Sequence, residues 1–327
     1  MPLKASILAT GAYLPERIMT NADLEKMVET SNEWILSRTG IRERRIAAEG
    51  EFTSDMGARA AEEALQRAGM EAKEIDLIIV ATCTPDTIFP STACHIQAKI
   101  GAKRAGAFDL QAACSGFLYG LVMADQFIST GAYKTVLVVG AEKLSSIVNW
   151  QDRNTCVLFG DGAGAAILQA RAGGRGLIAF DLGADGAQTE ILSLPAGGCR
   201  VPITPEILNS GGHYLQMVGK EVYRYAVSAM NRSAEDCLEK AGLKPAALRW
   251  IIPHQANIRI IESVSQRLGV GMEHFFVNLD RYGNTSAACV PICLHELQLA
   301  GQLQRGDLLL MVAFGGGLTW ASAVLEW

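Results

Sequence analysis

The feature that most constrains this chain is that it repeats itself. AEEALQRAG at 61–69 is echoed by AEDCLEKAG at 234–242, an offset of 173 residues from Gly69 to Gly242. The same offset lays Ile78-Ile79 on Ile251-Ile252, and VLVV at 136–139 on LLMV at 309–312. One short helix of Ala, Glu and Leu matches easily by chance, because that is generic helix composition. Three segments sharing one spacing do not. The apolar runs are short and rich in β-branched residues, with helical patterns between them, so each copy alternates strands and helices around a buried sheet. The predicted fold class is α/β, built from two duplicated halves at 1–172 and 173–327. The break is placed at Ala172-Gly173-Gly174, where small residues interrupt the pattern.

Along the first half, a strand is expected over 5–10, with a turn at Gly11. Asn21 is read as the cap of a helix running to about Thr30, and Ser54 as the cap of a helix that Gly69 ends. Buried strands are expected over 75–81, 105–110, 135–139 and 165–168, with helices over 92–100 and 117–128. With 327 residues, 49% of them hydrophobic, the chain can bury a large core. No apolar run reaches the ~18 residues that cross a bilayer. The opening MPLK leads straight into a strand-like segment, so a soluble, cytoplasmic protein is expected. The eight cysteines show no CxxC pair and no zinc spacing; free thiols and no metal are expected. A net charge of −5 argues against general nucleic-acid binding.

Within this frame one stretch stands out. DLQAACSGF at 109–117 reads as strand, small-residue turn, single cysteine, then apolar helix. That places the Cys114 thiol at a helix N-terminus. Free N–H groups and the positive dipole end meet there, and a lowered thiol pKa is expected. The offset carries Cys114 to Ala287, inside GNTSAA at 283–288, so Asn284 lies on the matching turn. His254, in HQAN at 254–257, leaves a strand end of the second copy as Ala81 does in the first. Packing of the two halves about a pseudo-twofold axis would bring Cys114, His254 and Asn284 together. Singly they read more plainly, as a buried cysteine, a structural histidine and a turn residue. FGGG at 314–317 and GDGAG at 160–164 lack the context of a nucleotide loop. Such glycines allow close backbone approach and can present N–H groups to an oxyanion. Together, Cys, His and Asn permit acyl transfer through a thioester. On residue types alone two chemistries remain open. In a cysteine hydrolase His is the base and Asn orients it. In a carbon–carbon condensing enzyme both donate to a thioester carbonyl as CO2 leaves.

ACSGF around Cys114, HQAN and GNTSAA, in this order, resemble the β-ketoacyl-acyl carrier protein synthase III family, the initiating condensing enzymes of thiolase fold. TSNEWI at 30–35, RTGIRER at 38–44, FPS at 89–91, Asp152-Arg153, FGDGAGAA at 159–166 and FGGGLTW at 314–320 extend the resemblance almost end to end. It implies a layered αβαβα arrangement and a homodimer. It implies that Cys114 takes a short acyl group, acetyl or another, from coenzyme A. Decarboxylative condensation with malonyl-acyl carrier protein then yields a 3-oxoacyl product and initiates fatty acid biosynthesis, with no metal or further cofactor. By the same resemblance Cys114 is the nucleophile, and His254 and Asn284 bind the malonyl thioester carbonyl. The N–H groups of Cys114 and Gly316 form the oxyanion hole. Thr30, Trp34, Arg38 and Arg153 hold the nucleotide end of coenzyme A, with Trp34 and Arg153 about the adenine. Gly219, Tyr223 and Asn257 line the path of the pantetheine arm; Tyr223 stands where the family commonly has Phe. Phe89 closes the acyl pocket of the partner protomer. Arg259 and Arg267 dock the acidic carrier protein, and the loop at 196–212 lies at the surface or the tunnel rim. A related acyl-CoA condensing enzyme of secondary metabolism, a cysteine thioester hydrolase and a carrier-binding protein without turnover are the other readings.

Overall fold

Apolar segments form the strands of two sheets in the computed structural model, which describes residues 4–171 and 176–327; Leu77–Ala81 and Thr135–Glu142 are buried along their whole length. The break expected at 172–174 lies outside the described residues. The first sheet contains β1 (Lys4–Tyr13), β2 (Leu77–Ala81), β3 (Gly106–Leu110), β4 (Thr135–Glu142) and β5 (Gly162–Arg171), in the order β1-β5-β4-β2-β3. The second contains β6 (Gly176–Ala184), β7 (Trp250–Pro253), β8 (Leu308–Gly315) and β9 (Thr319–Glu326), in the order β6-β9-β8-β7. β2 runs parallel to β3 and β4, and β7 parallel to β8. β5 is antiparallel to β4 and β1, as β9 is to β8 and β6. Order and direction therefore match strand for strand. Only β3 lacks a full counterpart; in the second sheet a single bridge from Ile251 to Phe275 takes its place. The 173-residue offset carries both ends of β4, Thr135 and Glu142, onto both ends of β8, Leu308 and Gly315.

Side chains alternate across each strand, so each sheet needs a helical cover on both faces. Ile78, Val80, Leu137 and Val139 point outward against α1 (Thr53–Ala68) and α2 (Thr92–Ile100). Ile79, Val136 and Val138 point inward against α3 (Gly116–Ser129). On the second sheet Leu310 and Val312 face α4 (Gly219–Ala241) and α5 (Ile258–Leu268), while Leu309 and Met311 face α6 (Cys289–Leu299). The layers run helix, sheet, helix, sheet, helix, the expected thiolase-like αβαβα arrangement. The central layer, α3 and α6, shares one apolar cluster with both sheets. Each fully buried Leu, Ile or Phe there contributes about 1.5–3 kcal/mol, which joins the two sheets into one core.

Tertiary contacts override several local expectations. The strand does not turn at Gly11 but continues to Tyr13, pairing Gly11 with Ala165. Glycine is required because a Cβ there would stand 2.1 Å from the Ala60 carbonyl oxygen of α1. Thr20, not Asn21, caps the next helix, which ends at Leu24 rather than near Thr30. The Asn21 side chain is inside, donating to Ile41 O (2.8 Å) and accepting from Arg44 (2.9 Å). Ser54 does not cap α1; the helix begins at Thr53, and the Ser54 hydroxyl donates to Asp86 (2.6 Å). Gly162 and Gly164 lie within β5, so GDGAG is largely strand.

The first sheet packs on the turn that opens α6 at Gly140 in β4, where a Cβ would come 2.2 Å from the Ala287 carbonyl oxygen. Gly140→Ala is expected to lower folding stability by about 1–3 kcal/mol, the usual cost of overpacking. Urea unfolding measures it, and an unchanged midpoint would contradict this contact.

Candidate active site

Cys114 is aimed by a strained turn. Near the end of β3, the Asp109 carboxylate accepts from the N–H groups of Thr92 and Ala93 (2.7 and 2.8 Å), tying the strand end to the start of α2. A single 3-10 turn, Ala113–Ser115, then opens α3, and its counterpart Ser286–Ala288 opens α6. Ala113 and Ser286 have φ of +47° and +49° and are the positive-φ non-glycine residues among those described. They are equivalent under the repeat. Such a conformation costs about 1–3 kcal/mol and persists only where packing enforces it. Here Gly315 supplies the packing: a Cβ on it would lie 2.5 Å from the Cys114 backbone nitrogen and 3.0 Å from the Ala113 Cβ.

The thiol is not the activated thiolate that a helix N-terminus alone implies. Burial pushes Cys114 up to about 12; a hydrogen bond with Ser286 opposes this, and the nearby Glu142 carboxylate adds to it. Loss of water outweighs the helix-end field. Glu142 is itself wholly buried and raised by burial. It accepts from Thr84 Oγ1 (2.7 Å), the Cys83 N–H (3.0 Å) and Ser286 Oγ (3.0 Å).

His254 follows β7, its N–H donating to Val312 O at 2.7 Å. The next residue, Gln255, anchors the strand end, donating to Pro253 O (2.7 Å) and accepting from the Asn278 N–H (3.0 Å). The imidazole is buried, and burial lowers its pKa to about 3, so it is neutral at physiological pH. Its Nδ1 lies 2.9 Å from Cys289 Sγ. Asn284 is fixed by its backbone, donating to Leu158 O (2.8 Å) and accepting from the Gly160 N–H (3.0 Å). Its side-chain carbonyl accepts from the Ser286 N–H at 2.8 Å. The end that Asn284 can offer a ligand is therefore its NH2 donor.

Cys114, His254, Asn284 and Gly316 line one cavity of about 1560 Å³. Trp34, Arg38, Gly219, Tyr223, Asn257 and Arg259 line it too. So do Ala196, Gly197 and Gly198, which places part of the 196–212 loop on its wall. Asn257 caps α5, and its Nδ2 donates to Arg38 O at 3.0 Å, joining two walls. Arg153 stacks on Trp34, 5.3 Å from the ring, and lines a neighbouring recess with Met27 and Glu29. Four expected residues are off the cavity wall. Thr30 has a buried hydroxyl without a partner. Phe89 projects outward, 85% exposed. Arg267 is ion-paired with Glu235 (2.7 Å) at the far end of α5 from Arg259; Arg153 is the fourth. Sequence reasoning does not single out Glu142, Ser286 or Cys289, although Glu142 is a charge ending a buried strand, Ser286 lies inside the GNTSAA motif and Cys289 directly follows it. All eight cysteines are free thiols. Among the described residues no cluster of His, Cys, Asp or Glu is arranged to hold a metal, and no helix is long and apolar enough to cross a membrane.

Residues 108–186 match the family model for 3-oxoacyl-[acyl-carrier-protein (ACP)] synthase III, and residues 238–327 match its C-terminal model. The chain belongs to this family. It is 55% identical to the beta-ketoacyl-[acyl-carrier-protein] synthase III of Roseiflexus sp. (strain RS-1), over 99% of this chain and 98% of that protein. It is 53% identical to that of Caldanaerobacter subterraneus subsp. tengcongensis, over 99% and 98%. The crystal structure of 3-oxoacyl-[acyl-carrier-protein] synthase III from Aquifex aeolicus VF5 superposes with a TM-score of 0.92 at 49% identity, covering 99% of this chain and 100% of that one. Membership in the synthase III family agrees with the thiolase-like layers and with the motifs that meet in the cavity.

The buried neutral His254 couples stability to pH. Its folded pKa, about 3, lies below the ordinary 6.5, so the unfolded chain binds its proton first as pH falls. Its contribution is absent above 6.5 and increasingly destabilising from there toward 3. Denaturant midpoints followed across that range are expected to fall less steeply in His254→Gln than in the wild type; parallel slopes would contradict a neutral, buried imidazole.

Proposed function

We propose that this chain is a β-ketoacyl-acyl carrier protein synthase III that loads a short acyl group from acyl-CoA, acetyl being the simplest, onto Cys114. It then condenses that group with malonyl-acyl carrier protein to give a 3-oxoacyl-acyl carrier protein and begin fatty acid biosynthesis. The observation that carries the mechanism is the pair of neutral donors beside the thiol. Asn284 has its carbonyl oxygen engaged by Ser286, and His254 is uncharged. A cysteine hydrolase instead needs a His basic enough to take the thiol proton and oriented by the Asn carbonyl; with its pKa lowered to about 3, His254 is a weak base, and that carbonyl is already taken. Two neutral donors suit a carbonyl oxygen that gains negative charge.

In the first step the Cys114 sulfur attacks the acyl carbonyl and the carbon–sulfur bond to coenzyme A breaks. The thiol proton ends on the departing coenzyme A thiol. The N–H groups of Cys114 and Gly316 receive the oxyanion. In the second step the malonyl carboxylate leaves as CO2, and its electron pair becomes an enolate on the thioester. His254 and Asn284 donate to that oxygen. The enolate carbon attacks the acyl group on Cys114, the sulfur leaves, and it recovers a proton from solvent. The cavity volume exceeds the roughly 300–1,000 Å³ of an ordinary ligand pocket, which supports an extended pantetheine arm along Gly219, Tyr223 and Asn257.

Trp34, Arg38 and Arg153, with Thr30 nearby, take the nucleotide end. Trp34 and Arg153 face each other, and an adenine entering this site would part the pair and take its place on both planes. Arg259 lies on the cavity wall and is the stronger candidate for meeting the acidic carrier protein, since Arg267 is already paired. The exposed Ile88 and Phe89 support a homodimer in which Phe89 enters the partner's acyl pocket. The halves 1–172 and 173–327 divide the work, the first supplying the nucleophile and the second the two donors.

Incubation with acetyl-CoA is expected to add one acetyl mass to Cys114, and Cys114→Ala to abolish it; a folded wild type that never acylates would overturn the reading. His254→Ala should reduce condensation by about 10²–10³-fold, the usual loss of one oxyanion donor. Its acylation rate should fall far less, and equal losses in both steps would refute the division of roles.

A further inference from the structure

Cys289 touches Nδ1 of His254, a histidine on the cavity wall. The two are 35 residues apart, both buried, with Nδ1 and Sγ separated by 2.9 Å. The same sulfur accepts from the Gln255 N–H at 3.5 Å. We propose that Cys289 is a positioning residue that holds His254 as the tautomer protonated on Nε2. This rests on the functional reading above, in which His254 must donate to a thioester carbonyl.

The argument is one of donor and acceptor counting. A neutral imidazole carries one proton, and its two nitrogens have opposite roles. Burial raises the Cys289 thiol well above its ordinary range, so the sulfur keeps its proton. The Gln255 N–H already takes one lone pair of that sulfur. The S–H is then placed to donate to Nδ1, 2.9 Å away, as the bare nitrogen. Nε2 carries the hydrogen and His254 is a donor toward the cavity. In the opposite tautomer Nδ1–H and the Gln255 N–H would both point at one sulfur, leaving the S–H without this acceptor. Nε2 would then meet a carbonyl oxygen with a lone pair. One turn along α6, Cys293 uses its thiol in the same sense, donating to Asn278 Oδ1 at 3.3 Å. That asparagine donates its own N–H to Gln255, so both thiols brace the strand end bearing His254. The sequence gives no warning, because Cys289 simply follows the GNTSAA motif at the start of an apolar helix.

The tautomer can be read directly. Nitrogen NMR of full-length protein labelled with ¹⁵N-histidine, with His254→Gln identifying the signal among the five histidines, is expected to show protonated Nε2 and bare Nδ1. A protonated Nδ1 in the wild type overturns the proposal, and this measurement stands even if Cys289 variants fail to fold. In Cys289→Ala the fall in condensation should exceed the fall in Cys114 acylation by about tenfold, the scale of one hydrogen bond. Its His254 signal should shift toward a tautomer mixture. Cys289→Ser, which keeps a hydroxyl donor, should recover both the signal and most of the lost rate. Equal losses in both steps with an unmoved signal would mark Cys289 as mere packing. A wild type that acylates but yields no 3-oxoacyl product would fail the functional reading and leave the tautomer result intact.

Discussion

Close backbone contact between each sheet and the turn that opens the central helix of the other half is the constraint on which the site depends. Gly140 admits the Ala287 carbonyl against β4, and Gly315 admits the Cys114 amide against β8. Neither glycine is needed for its own dihedral angles; each is needed because its neighbour's main chain occupies the space a Cβ would fill. The contacts are reciprocal, one from each copy of the repeat. They bring the start of α3 and the start of α6 into the same few ångströms, so a nucleophile on one turn and a donor on the other share a wall.

The same closeness excludes water, and that sets the charge state of the groups involved. Cys114, His254 and Glu142 are all moved toward their less hydrated behaviour: thiol up, imidazole down, carboxylate up. A resting site of uncharged thiol and imidazole suits chemistry in which charge appears on the substrate oxygen and nowhere else. Preorganised neutral donors are strongest where solvent cannot compete with them.

Much of this was legible in the sequence, because the repeat carries positional information that propensity does not. The offset placed β4 on β8 end for end, and it pointed to Asn284 as the neighbour of Cys114 across the interface. What stayed hidden depended on distant packing. Gly11 reads locally as a turn, and only the crossing of α1 shows it to be strand. Asn21 and Ser54 are good caps on paper, but Arg44 and Asp86 claim their side chains. The thiol pKa lies above the helix-end expectation for a related reason: a helix N-terminus is visible in a sequence, whereas depth of burial is not. Cys289 faces His254 across 35 residues, and no local pattern encodes that meeting.

The strained turn occurs twice, yet only one copy carries a nucleophile. Ser286 shares the backbone geometry of Ala113, but Ala287 stands where Cys114 would be. The left-handed kink therefore accompanies the packing of both central helices, and reactivity depends on the residue that follows it. Distorted backbone here records ancestry and architecture, while chemical purpose resides in the side chain that follows. A search for active centres by conformational outliers alone would return both turns of this molecule and could not tell them apart.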